Sequence, residues 1–74
     1  SASSFLYFLF FQGNKYFKDK KFVQAIDCYS RSIGLQPSSV AYANRAMAYI
    51  KIRRFLFVIF MFHFKLKTFY MAAY

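Results

Sequence analysis

Acid is what this 74-residue chain most lacks. Asp19 and Asp27 are its only carboxylates, against eleven Lys and Arg, and the net charge is +9. Two carboxylates cannot supply a paired acid/base site with a separate orienting group, nor a hard-metal cage. The single cysteine, Cys28, excludes an internal disulfide and any zinc-finger spacing, and fits a reducing compartment. The single histidine, His63, cannot build a metal cluster. Long apolar runs are missing too. Phe5 to Phe11 and Phe55 to Phe62 are uniformly apolar, but a spanning helix needs about 20 residues. No basic residue precedes Phe5, so this run is not expected to act as the apolar stretch of a signal peptide. At this length a core is marginal and one domain is the upper bound. No enzymatic activity, cofactor or metal is expected.

What is abundant is aromatic. The chain is 59% hydrophobic and 26% aromatic, too apolar and too poor in charge for intrinsic disorder. Phenylalanine divides it into three parts. Four Phe fall in residues 5–11 and six in 55–69, leaving only Phe17 and Phe22 between. The middle holds nine of the eleven basic residues and both acids. It has the pattern of an ordinary helical segment; the flanks do not.

Within the middle, Tyr16 and Phe17, then Ile26, Tyr29 and Ile33, recur at helical spacings. Asp19-Lys20-Lys21 is a polar break between them. Gly34 and Pro37 are predicted to end the second helix, because Pro lacks a backbone donor and pushes its predecessor out of helix. Ser38 and Ser39 offer an N-cap for a third. Val40, Ala43, Met47 and Ile50 form one stripe of that helix, and Tyr42, Ala46 and Tyr49 a neighbouring one. The expected order is helix, tight turn, helix, turn, helix.

Gly13-x-x-Tyr16, Ala25-x-x-x-Tyr29 and Pro37 stand at the offsets of the tetratricopeptide repeat, which this segment resembles. Asn44-Arg45-Ala46-x-x-Tyr49 resembles the first helix of a second repeat, with Phe55 aligned to Phe22 as the turn aromatic. The resemblance covers roughly residues 13–55. It implies an all-α fold of antiparallel helix–turn–helix repeats, about one and a half of them, as a fragment of an α-solenoid. The signature residues are then Gly13, Tyr16, Phe22, Ala25, Tyr29, Pro37, Ala46 and Tyr49. Small Gly13 and Ala25 allow two helices to approach, and the aromatics fill the space around them. The corresponding division is a flank over 1–12, repeat one over 13–37, the first helix of repeat two over 38–55, and a basic flank over 56–74.

The middle resembles the clamp-type co-chaperones of this family. That implies capture of an acidic C-terminal peptide from a cytosolic heat-shock chaperone of the seventy or ninety kilodalton class, in the cytoplasm or nucleus. Side-chain amides and cations suit such a ligand, which presents only acceptors. By resemblance, Asn14 and Asn44 match the two clamp asparagines; read without the repeat, both are plain polar helix residues. The clamp lysine expected at position 10 is replaced by Phe10. Lys18 and Lys51 are candidate groove-lining cations that the motif itself does not identify.

The departures are specific. Gln12 stands where a Leu is usual, and Ser32 where a small Ala is usual. Residues 56–62 are apolar on every face where an amphipathic helix is expected. Both flanks could be translated intron, the first a pyrimidine tract ending at Gln12 and the second starting after a donor at Arg54. The chain also begins at Ser1 and not Met, which fits a fragment. As surrogate helices the flanks are expected to cover exposed stripes, giving a compact three- or four-helix unit prone to self-association. The Lys15, Lys18, Lys20 and Lys21 cluster is read as a solvated face. It could contact nucleic acid only non-specifically, and no nucleic-acid motif is present. Contact of the Phe-rich, basic flanks with a membrane surface is the weaker alternative.

Overall fold

The computed structural model describes the backbone of residues 2–72 and the side chains of residues 3–63. Three helices follow in order: α1 (Ala2–Lys18), α2 (Phe22–Leu35) and α3 (Ser39–Ala72). No strand occurs among the described residues. The all-α helical-hairpin architecture expected from the sequence is therefore present.

The ends of α1 and α2 have local causes. α1 contains no Pro and no β-branched residue, and Lys15 and Lys18 in its last turn suit the negative end of the helix dipole. It closes on a Schellman motif. The Lys21 N–H bonds to the Tyr16 carbonyl at 2.8 Å and the Lys20 N–H to that of Phe17 at 3.0 Å. Lys20 takes the left-handed conformation, φ 62°, that this closure requires. The polar break at Asp19-Lys20-Lys21 is thus a three-residue reversal between antiparallel helices.

α2 ends where Pro37 forces it to. Gln36, immediately before the proline, is extended, with φ −154° and ψ 111°. Gly34 plays no part in this. It lies inside α2 with an ordinary φ, which corrects the expectation that it helps to terminate the helix. Ser38 then caps α3, its Oγ accepting the Ala41 N–H at 3.1 Å.

The core is small and lies mostly on α2. Leu9, Ala25, Cys28, Tyr29, Ile33, Ala41 and Ala48 are its buried apolar residues, with Ser32 buried among them. Ala25, Ala41 and Ala48 are fully buried, so small side chains set the helix–helix approach. α2 is the central element, packed against both α1 and α3. The N-terminal flank joins this packing. Leu9 is 2% exposed, the Phe10 ring lies 6.1 Å from that of Tyr29, and the Arg31 guanidinium sits 6.0 Å over Phe5. Phe17 and Phe22 meet edge to face across the reversal, 5.3 Å apart.

α3 departs from expectation in two ways. Its buried face runs through Ala41 and Ala48, with Asn44 and Arg45 half-buried beside them. Val40, Met47, Ile50, Tyr42 and Tyr49 are exposed instead, as are Ala43 and Ala46. Those stripes would be covered by a following helix, and none folds back among the described residues. The reason is the second departure: α3 passes through Phe55 without a turn. Residues 51–55 contain no Gly or Pro, and Leu56–Phe62 continues with residues that sustain a helix. The expected compact unit is replaced by an elongated one, 64 × 19 × 14 Å, with a radius of gyration of 17.4 Å. A globular chain of this length would have about 11 Å.

Candidate functional site

The reversal at Asp19–Lys21 lays the second half of α1 along α2, and Pro37 with Ser38 starts α3 back along the same face. Asn14 of α1 and Asn44 of α3, thirty residues apart, are thereby brought into direct contact. Asn44 Nδ2 donates to Asn14 Oδ1 at 3.2 Å. The Tyr29 hydroxyl of α2 donates to the same oxygen at 2.5 Å. One carbonyl oxygen thus ties together all three helices.

This triad lines a groove of about 560 Å³. Lys15 and Lys18 stand on its polar side; Phe11, Phe17 and Met47 supply apolar surface. No carboxylate lines it. The hydrogen-bond inventory is lopsided. Both donors into Asn14 Oδ1 come from within the triad, so the acceptor is consumed internally. The Asn14 amide retains two N–H groups and the Asn44 amide one N–H beyond its bond to Asn14, against one remaining amide acceptor, Asn44 Oδ1. Donors and ammonium groups prevail, an arrangement suited to an anionic, acceptor-rich ligand.

Electrostatics reinforce this. Burial pushes the Tyr29 phenol above its ordinary range, partly offset by the Asn44 side chain. At neutral pH it stays protonated and remains a donor. Cys28, one residue earlier, is buried, and its thiol is also pushed up by burial, with Asp27 adding and Arg31 opposing. A thiol held protonated is a poor nucleophile, consistent with a packing role. Across α2 and α3, Arg45 Nη1 donates to Ser30 Oγ at 3.2 Å while its guanidinium lies 5.2 Å over the Tyr42 ring.

The sequence-derived candidates thus separate. Asn14, Asn44 and Lys18 all line the groove, whereas Lys51 is half-buried and stands outside it. Phe10, at the position where the resemblance leads one to expect a lysine, packs its ring against Tyr29 and offers no charge. Among the signature residues, Gly13, Ala25 and Tyr29 are buried, Tyr16 and Phe22 half-buried, and Pro37, Ala46 and Tyr49 exposed. Sequence reasoning gave Tyr29 a packing role and did not see its hydroxyl as part of the polar triad. The available signal was the residue type: Phe would fill the same volume, and only Tyr adds a donor.

Segments of known proteins match part of this chain. RNA polymerase II-associated protein 3 of Homo sapiens is 44% identical over 45 residues, covering 60% of this chain and 7% of that protein. The DnaJ homolog subfamily C member 7 homolog of Dictyostelium discoideum is 46% identical over 43 residues, 55% of this chain and 8% of its own length. Mitochondrial import receptor subunit TOM70 of Homo sapiens is 43% identical over 49 residues, 58% of this chain and 8% of its own. All three contain tetratricopeptide repeats. The chain is thus similar to fragments of tetratricopeptide-repeat proteins. The chain spans less than a tenth of the length of these relatives. No protein-family model matches it, and no solved structure does.

Among the described residues, no three His, Cys, Asp or Glu side chains gather as a metal site. None of the described helices is long and apolar enough to cross a membrane.

Proposed function

We propose that this chain contributes a peptide-docking surface, non-enzymatic, that binds the acidic C-terminal tail of a heat-shock chaperone of the seventy or ninety kilodalton class. The carrying observation is the Asn14–Asn44 contact at 3.2 Å within a groove bordered by Lys15 and Lys18. The remaining amide N–H groups of both asparagines are the donors for a terminal carboxylate, and the two lysines supply the positive potential. Phe11, Phe17 and Met47 are the surface for an apolar side chain of the tail. The similarity to segments of RNA polymerase II-associated protein 3 and the DnaJ homolog supports the reading. In this proposal residues 13–37 form the first repeat and 38–55 the first helix of the second. The cations of a complete clamp beyond Lys15 and Lys18 come from outside these residues. The setting is the cytoplasm or nucleus.

The test is fluorescence anisotropy with a labelled acidic peptide ending in Asp, as the free acid and as the C-terminal amide. Charge-assisted hydrogen bonds contribute about 1.5–3 kcal/mol each, so the amide is expected to bind roughly ten- to a hundredfold more weakly. Asn44→Asp, which keeps the side chain's size and reverses its electrostatics, should abolish the preference. Equal affinity for free acid and amide would refute the proposal.

A further inference from the structure

The last described stretch of α3 is the largest surface feature that docking leaves unexplained. From Phe55 to Phe62 every residue is large and apolar, and every one is exposed, from 42% for Met61 to 69% for Phe62. The helix runs on beyond the α1–α2 hairpin, so no described residue covers this stretch. It has no polar face and therefore no single seam. Cations precede it at Lys51, Arg53 and Arg54 and follow it in sequence at Lys65 and Lys67, and no acid occurs anywhere in α3.

This charge pattern selects the occupant. Antiparallel pairing with a second copy would set Arg53 and Arg54 against Lys65 and Lys67. Parallel pairing would set each basic end against itself. Either way like charges meet, and each copy brings a net charge of +9. An anionic surface has the opposite effect at both ends. The length fixes the orientation. Arg54 and Lys65 are eleven residues apart, which at helical rise is about 16 Å. That is half the roughly 30 Å hydrocarbon core. The two basic ends cannot reach opposite surfaces, so both must face one headgroup layer, with the helix lying in the plane. Long Lys and Arg stems let their charges rise to the headgroups while the rings, apolar on every side, sit below them.

We infer that residues 55–62 of α3 insert in plane into the interfacial layer of an anionic lipid membrane, with the flanking Arg and Lys residues on lipid phosphate and carboxylate groups. The aromatic hairpin is then held at the surface by this single segment.

Vesicle co-sedimentation of the full chain tests this, using phosphatidylcholine vesicles with and without a minority of phosphatidylserine. Binding is expected to be stronger on the anionic vesicles and to weaken with salt. Phe57→Gln with Phe60→Gln should reduce it by about tenfold per ring removed. Arg53→Gln with Arg54→Gln should reduce it on anionic vesicles only, by about fivefold per charge. All four positions are exposed, so circular dichroism should show the hairpin intact in each variant. The chain has no Trp, so Phe57→Trp is a clean reporter: a blue-shifted emission quenched by brominated lipid is expected. Equal binding to neutral and anionic vesicles, or no binding, would overturn the inference. So would a defined dimer in sedimentation equilibrium that the Phe57 and Phe60 variants dissociate, which would assign the segment to a second copy.

Discussion

Gly13→Ala should destabilise this chain, although Gly13 lies inside a helix where Ala is ordinarily the better residue. Helix propensity alone favours the substitution by about 1 kcal/mol. Against this stands the packing. A Cβ at position 13 would lie 2.7 Å from Tyr29 Cε1, 2.9 Å from Cδ1 and 3.1 Å from Cζ. Ordinary contacts begin near 3.4 Å, so the ring or the helix must move by most of an ångström. The ring has nowhere to go: it is 1% exposed, backed by Phe10, and its hydroxyl is bonded to Asn14, the residue next to the substitution. Overpacking of this kind costs about 1–3 kcal/mol. Displacing the phenol from Asn14 costs about 1 kcal/mol more. The net expectation is a loss of about 1–3 kcal/mol, which in a domain of this size lowers Tm by about 4–8 °C per kcal/mol. Gly34→Ala is the internal control. It is also helical, no atom lies within 4 Å of its added Cβ, and its backbone is not left-handed. It should stabilise by about 0.5–1 kcal/mol. The assay is thermal unfolding by circular dichroism at several protein concentrations, to separate folding from association. If Gly13→Ala raises Tm as Gly34→Ala does, the close approach of α1 to Tyr29 is not what selects glycine, and the reasoning fails.

Other expectations follow from the same geometry. Lys20→Gly should stabilise by about 0.5–1 kcal/mol, because a left-handed Lys pays a penalty that Gly does not; an unchanged or lowered Tm would count against the Schellman closure. Ser38→Ala should cost about 1 kcal/mol through loss of the cap on Ala41, read as a drop in urea midpoint, and Ser38→Asp should restore it. The pH profile has a definite sign. Cys28 and Tyr29 both have raised folded values, so their contribution is intact at neutral pH. It is lost as pH rises past about 8.5 for the unfolded thiol and about 10 for the unfolded phenol. Thermal stability should therefore fall on the alkaline side, and Cys28→Ala should flatten the first part of that fall; a profile with no alkaline loss would remove the burial argument for both groups.

Much of the middle region was legible in the sequence because its determinants are local. Proline at position 37 dictates an extended Gln36 whatever surrounds it, and Ser38 caps by reaching its own backbone. The break at Asp19–Lys21 and the helical spacing around it likewise depend on near neighbours. The repeat resemblance went further and placed Gly13, Ala25 and Tyr29 at the helix contact, where each is buried. It also singled out Asn14 and Asn44, although nothing local says that residues thirty apart will touch.

The tertiary structure decided what depends on which partner is present. The sequence shows two apolar stripes on α3, and neither meets α2; packing chose a third, narrow face of Ala41 and Ala48, because small side chains let the backbones approach. Ala46 and Tyr49 stay exposed because no helix folds back on them among the described residues. Phe55 reads as a turn aromatic by alignment, yet a turn needs a residue or a tertiary contact that breaks the helix, and residues 51–55 supply neither. The N-terminal flank shows the opposite outcome. Its composition resembles that of the C-terminal flank, but it extends the part of α1 that lies antiparallel to α2, and so Leu9, Phe10 and Phe5 are delivered onto α2 and Tyr29, whereas Phe55–Phe62 is left exposed. Composition determined that both flanks are apolar; connection to the hairpin decided that one is part of the fold and the other extends from it.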